Sequence, residues 1–299
     1  MIEEVIYTHL QTNGDDLAPF LATYAGSKAI FNQEAPKDTD TAWNQGSQYG
    51  RIVFLVDMRE DVERKVSGTL TIDVECEDGK QVPEELAPIV LNLIDGYFFT
   101  DSELTMAARW NQSNYFTDPT KKVIGVTMTF DILAFPLQIT SDPDPILASN
   151  TFLAALCPGA KIIGTDTLEA IWKPTDEAPA LYSRLAKLVT SSRIRSNANV
   201  DWFDAEIRIH VLAPTLNVRE AICKAIVQTL TRLTRIIMTD NSPMQIWTVT
   251  ATMSADQLRT GQITINATYG VLPPEIPVDP LNLATVQGMN ATKQIAKEA

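Results

Sequence analysis

The chain is poor in the residues that usually carry chemistry. Its 299 residues include two histidines, His9 and His210, and three cysteines, Cys76, Cys157 and Cys223. The cysteines lie far apart without CxxC spacing, and their odd number argues against a disulfide framework and for a reducing cytoplasm. No run of 18 apolar residues encodes a membrane span. The start, Met1-Ile2-Glu3-Glu4, lacks the basic and apolar regions of a secretory signal. G-x-S-x-G, H-E-x-x-H, P-loop and G-x-G-x-x-G sequences are all missing. Each histidine is expected to be a plain surface or edge residue, without a partner at metal-ligand spacing. The thiols fall in apolar stretches and read as inert. Asp142 and Asp144, each followed by proline, read as a solvated turn, and Glu75, Glu77 and Asp78 as strand-end solvation.

What is present is 45% apolar and 20% charged, the composition of a folded chain. The formal charge is −13, which disfavours tight, nonspecific phosphate binding. Its distribution is uneven. Residues 1–140 hold 10 Lys/Arg against 22 Asp/Glu, residues 141–274 hold 12 against 12, and the tail holds 2 against 3. Acidic and neutral halves suit modules that face different neighbours.

The apolar pattern reads as one layout written twice. In the first half, Leu70, Ile72, Val74 and Cys76 alternate with polar residues, as in a half-buried strand. Leu86, Ile89, Val90, Leu93, Ile94 and Tyr97 then mark one helix face, with Pro88 in the first turn. Strands at Glu103–Trp110 and Val123–Phe135 follow. In the second half, Ala205, Ile207, Ile209, Val211 and Ala213 alternate, Asn217 is a candidate helix cap, and a stripe runs from Val218 to Leu233. Met244–Met253 and Gln262–Val271 close the unit. Upstream, Ala29-Ile30-Phe31 before Ala35-Pro36 matches Ala170-Ile171-Trp172 before Ala178-Pro179. Strands at Gly50–Asp57 and Ala180–Leu188 follow these, and lead-in helices are expected at Glu3–Leu10, Leu17–Tyr24 and Ile146–Leu156.

The expected fold class is α+β: two similar modules, each an antiparallel sheet of about four strands with a long helix packed on one face. The modules span 1–138 (acidic) and 139–274 (neutral), joined by an Asp-Pro hinge within Pro136–Pro145. A Pro-rich arm, 275–299, follows. Arg184, Lys187, Arg193 and Arg195 cluster on a strand and the loop after it. They suit a solvated loop, a DNA-facing surface or pairing with the acidic module of a neighbouring subunit, and the complementary charge on the same chain favours the last. Arg232 and Arg235 close the long helix.

With the helix Met1–Leu10, the Ala29-Ile30-Phe31…Ala35-Pro36 strand and turn, Tyr49–Asp57, Gly68–Glu75 and Pro83–Tyr97, the first half resembles the tail-terminator or tail-completion proteins of long-tailed bacteriophages. Ala178–Tyr182, Ala205–Ala213, Asn217–Leu233 and the closing Tyr269-Gly270-Val271 extend the resemblance to the second half. It covers most of residues 1–274 as a layout without a diagnostic motif. Family members usually carry one such module, and this chain carries two.

The resemblance implies a virion protein and not an enzyme, with no cofactor. It implies a ring at the head-proximal end of the tail tube that stops tube growth and joins tail to head. The implied partners are further copies of the chain (a hexamer or pseudo-hexameric trimer), the tail tube protein, head–tail connector or neck proteins, and dsDNA passing through the lumen. Assembly in the host bacterial cytoplasm follows. Asp57, Glu60, Asp61 and Glu63 are the candidate lumen carboxylates, exposed strands such as Gly50–Asp57 the candidate edges, and Gln33–Ser47 a flexible reach to a neighbour. A neck or collar adaptor is the alternative within the same class, and a cytoplasmic hydrolase with an unrecognised carboxylate site the alternative outside it.

Overall fold

The computed structural model describes residues 2–43, 48–59, 67–102, 104–138, 142–197 and 199–272. Helix α1 (Ile2–Asn13) opens the chain, with Glu3 and Glu4 complementing the positive end of its dipole. It buries Ile2, Ile6, His9 and Leu10 at helical spacing. A 3-10 turn (Asp15–Leu17) and a small hairpin, β1 (Thr23–Tyr24) and β2 (Ser27–Lys28), come next, in place of the helix expected at Leu17–Tyr24. The first sheet then takes up β3 (Ile30–Asn32), β4 (Arg51–Met58) and β5 (Gly68–Glu77). Helix α2 (Pro83–Ile94) leads into β6 (Phe98–Thr100), β7 (Leu104–Asp118) and β8 (Val123–Pro136).

The second half runs α3 (Pro145–Leu156), β9 (Lys161–Ile163), β10 (Ile171–Trp172), β11 (Ala180–Thr190) and β12 (Asp201–Leu212). It closes with α4 (Leu216–Leu233), β13 (Arg235–Ile237), β14 (Pro243–Ala251) and β15 (Ile263–Val271).

The fold class departs from the α+β expectation. The molecule is mostly β: two curled half-barrel sheets of seven and six strands, with four helices. Four-stranded sheets under long helices do not form, and α2 is only 12 residues long. The undercount has a local cause. Strands β3, β6, β9, β10 and β13 are two or three residues each, too short to show alternation, and backbone pairing with a neighbour defines them. Strand β7 also runs on to Asp118, where residues on both faces are solvated and alternation vanishes.

Smaller corrections concern helix ends and one turn. Pro83 occupies the first turn of α2, whereas Pro88 lies inside the helix, which ends before Gly96 at φ +77°. Thr215, not Asn217, precedes α4, and left-handed Thr234 ends it, so Arg235 belongs to β13. Gly50 holds φ +46°, and a Cβ there would fall 1.8 Å from the Phe20 carbonyl oxygen, so only glycine fits.

Each sheet buries one face under its helices. Leu70, Ile72, Val74 and Cys76 of β5 meet Leu86, Val90 and Ile94 of α2 in one core. Ala205, Ile207, Ile209 and Val211 of β12 meet Cys223, Ile226 and Leu230 of α4 in the other. At roughly 1.5–3 kcal/mol per fully buried aliphatic side chain, these layers dominate the stability.

Candidate assembly surfaces

The two sheets share one plan. The first has the order β10-β6-β7-β8-β5-β4-β3 and the second β13-β14-β15-β12-β11-β9. Setting β10 aside, each position matches: β3 runs parallel to β4 as β9 does to β11, and the other neighbours are antiparallel. Even an irregularity matches, since a bulge follows Trp110 in the β7–β8 pair and Ile246 in the β14–β15 pair. Aligning on the bulge sets Phe130 on Ala267 and Leu70 on Ala205. The counterpart of Ile30–Asn32 is thus Lys161–Ile163, and not Ile171-Trp172 as the sequence match suggests. Strand β10 instead crosses over and pairs with β6 of the first sheet, Ile171 with Phe99 and Trp172 with Phe98.

That crossing belongs to a third core. Phe98, Ala107, Leu133 and Phe135, on the outer face of the first sheet, pack against Ile163, Trp172, Ala180, Tyr182 and Leu212. The Phe98 and Trp172 rings stack at 4.5 Å between centroids, and Tyr182 meets Phe135 edge-on at 5.1 Å. Tyr182 Oη donates to the Pro136 carbonyl at 2.9 Å, Lys173 Nζ to the Asp95 carbonyl at 2.9 Å, and Arg259 pairs with Asp131. The halves are therefore welded, where the sequence predicts only a hinge. The contact is also unlike on its two sides: the β6–β7–β8 flank of one sheet meets the β9–β11–β12 flank of the other. Asp131-Ile132-Leu133-Ala134-Phe135 carries the one sequence signal for it, because a strand apolar on both faces is covered on both.

His210 lies in this contact, 2% exposed, and not at a surface edge. Its Nδ1 donates to the Gln257 carbonyl at 3.0 Å, and Nε2 has no partner. Burial pushes it down to about 4, helped by Arg184 and Arg208. His9 is buried too: Nε2 donates to the Leu93 carbonyl at 2.7 Å, Nδ1 accepts from Asn13 at 2.8 Å, and burial lowers its pKa. Both histidines stitch elements together.

The predicted site residues separate into distinct places. Asp57 is exposed on β4, paired with Thr69 of β5 on the outer face of the first sheet. Glu60, Asp61 and Glu63 lie outside the described residues. Arg184 and Lys187 stand on β11 across a bulge, and Arg193 and Arg195 in the loop after it. Arg193 lies over the Trp247 ring at 4.9 Å, beside Lys187 and Val189. Arg184 is drawn away toward His210 and Tyr182, and Arg195 stays exposed. Because β4 and β11 are counterparts, Asp57 and the Arg184/Lys187 pair occupy matching strands of the two sheets. Each strand is half covered. Strand β3 pairs only with Ile52–Phe54 and β9 only with Ala180–Tyr182, so among the described residues no strand pairs with the outer side of 55–58 or 183–190.

Three expectations change here. Residues 36–43 fold back onto their own sheet, with Asp38 accepting from Arg51 and Tyr49, each at 2.9 Å, and Trp43 Nε1 donating to the Lys37 carbonyl. Glu75 accepts from buried Arg51 at 2.5 Å, so it anchors this cluster and is not mere solvation. Burial with the Asp38 carboxylate pushes Tyr49 up to about 12. Asp144 is buried and caps α3, accepting from the amides of Ile146 and Leu147.

Burial raises the Cys157 thiol and pushes Cys76 and Cys223 up to about 11, which holds them as thiols. Among the described residues, no group of three or more His, Cys, Asp or Glu is placed to hold a metal, and no helix is long and apolar enough to cross a membrane. Comparison with protein-family models finds none that matches the chain, and no curated protein matches it.

Proposed function

We propose that this chain is a ring-forming structural protein of a long-tailed phage, the terminator at the head-proximal end of the tail tube. One observation carries the reading. Two like-patterned sheets in one chain touch through unlike flanks, which is the head-to-tail relation by which repeated units build rings. A chain that already holds two consecutive units needs three copies for six positions, or six copies for twelve.

The outer face of the first sheet suits a channel that passes DNA. Asp57 and Asp73 stand among Thr69, Thr71, Thr127 and Thr129 there. Like charge keeps a polyanion from sticking. The partners in this reading are the tail tube protein, neck proteins and DNA in transit, and the chain acts in the virion without catalysis or a cofactor.

Removing the gene from its phage is the test. Overlong, headless tails are expected. Normal-length tails that fail to join heads would replace this reading with the neck adaptor, and normal virions would overturn both. Neutralising Asp57, Glu60, Asp61 and Glu63 together is expected to slow DNA ejection, and unchanged ejection would remove them from the lumen.

A further inference from the structure

The contact between the sheets leaves two buried polar atoms unspent. His210 is 2% exposed and gives its Nδ1 to the Gln257 carbonyl, so its Nε2 has no partner. Arg184 Nε is buried without a partner as well. Both side chains line a niche of about 20 Å³, closed by Leu133 and Phe135 of the first sheet and by Leu258 and Arg259. Buried polar atoms are normally satisfied, so two of them on side chains lining one niche mark a place for a group that bonds to both.

The strand register brings them together. Tyr182 pairs with His210 and Arg184 with Arg208, which makes Arg184 and His210 diagonal neighbours on one face of the second sheet. Such neighbours stand roughly 7–8 Å apart, within reach of one small bridging group. The niche is of that size, since a water-sized sphere needs only about 10–15 Å³.

The surrounding charges select the occupant. Arg259 is paired with Asp131 and Arg208 with Glu206. Asp256 accepts from the amides of Leu258 and Arg259 in its own turn. Arg184 makes no ion pair among the described residues. While His210 is neutral, its free nitrogen is a lone pair that attracts a donor and repels an anion. Protonation turns that nitrogen into a second positive donor beside Arg184, and a negative charge between the two relieves their repulsion.

We infer that this niche binds a small monovalent anion of halide size, taken up together with a proton on His210. The proton comes from solvent and rests on Nε2. The ion accepts from Nε2–H and from Arg184 Nε–H, while Nδ1 keeps its bond to Gln257. The bound ion sits against Leu133 and Phe135, so it fastens the halves where a proton on His210 alone loosens them. This site goes beyond the ring reading and does not depend on it.

Proton–carbon NMR of the full chain tests it, following both histidine rings through a pH titration in chloride and in gluconate of equal ionic strength. Chloride is expected to raise the His210 midpoint by about half a pH unit or more, a threefold gain in proton affinity. His9, held by Leu93 and Asn13 in the first core, is expected to titrate alike in both salts. The chloride NMR line is expected to broaden as pH falls and to stay narrow in Arg184→Gln, whose circular dichroism remains native. If that variant misfolds, His210→Gln serves instead: it keeps Arg184 but takes no proton, and its chloride line is expected to stay narrow at every pH.

Equal His210 midpoints in the two salts would show that water alone fills the niche and would overturn the inference. Equal shifts of both histidines would show general screening, and a chloride effect that survives in either variant would place the ion elsewhere. Each of these outcomes overturns the site and leaves the ring reading standing.

Discussion

His210 makes the contact between the sheets sensitive to acid. Its folded pKa of about 4 lies below the ordinary 6.5, so the unfolded chain binds the extra proton first. Stability tied to this group is complete above pH 6.5, is lost as pH falls from 6.5 to 4, and changes no further below that. The loss is of the order of 3 kcal/mol. Urea unfolding of the parent across this window is expected to show that slope, and His210→Gln to flatten it. An equal slope in both would place the acid sensitivity elsewhere. Arg51 supplies the matching case for charge. It is buried between Glu75 and Asp38, so Arg51→Ala takes the partner from two part-exposed carboxylates and is expected to cost about 1–3 kcal/mol by the same measurement. Neither role is visible in the one-dimensional pattern. His210 alternates with apolar neighbours as any outward residue does, and Arg51 opens a strand as any solvated cation does; burial comes from segments distant in the chain.

Elements with their own punctuation were legible. The alternation in β5 and β12 and the stripe of α4 place each core strand and its helix, because those signals need only local burial. Asp144 before Pro145 is a readable cap that the Asp-Pro turn disguised. Asp144→Ala is expected to lower the melting free energy by about 1 kcal/mol, and an unchanged melting curve would show the two amides satisfied by other groups. The two- and three-residue strands were illegible for a physical reason: a strand of that length exists only where a longer neighbour offers backbone groups to pair with. The misplacement of Ile171-Trp172 follows from the same fact. Its sequence resembles Ile30-Phe31, but the edge it finds is β6, in the other sheet.

At the scale of the whole molecule, the third core makes two sheets behave as one body. Phe135 bridges Phe98, Tyr182 and His210 within it. Phe135→Ala is expected to cost about 3–5 kcal/mol and to split a single unfolding transition into two, read by calorimetry. One sharp transition in the variant would show the sheets coupled through β10 alone. The sequence announced the repeat but not the weld, since nothing in either half says which outward residues the other half will cover. Arg184, Lys187, Arg193 and Arg195 show the same limit: read as one basic cluster, they divide, with Arg184 turned toward His210 and Arg193 over the Trp247 ring.

The most direct measurement is electron cryo-microscopy of the assembled full chain. The head-to-tail reading predicts a closed ring in which unlike flanks of neighbouring chains meet, as unlike flanks of the two sheets meet within one chain. A monomer, or a twofold dimer joined through the same flank of both copies, would contradict it.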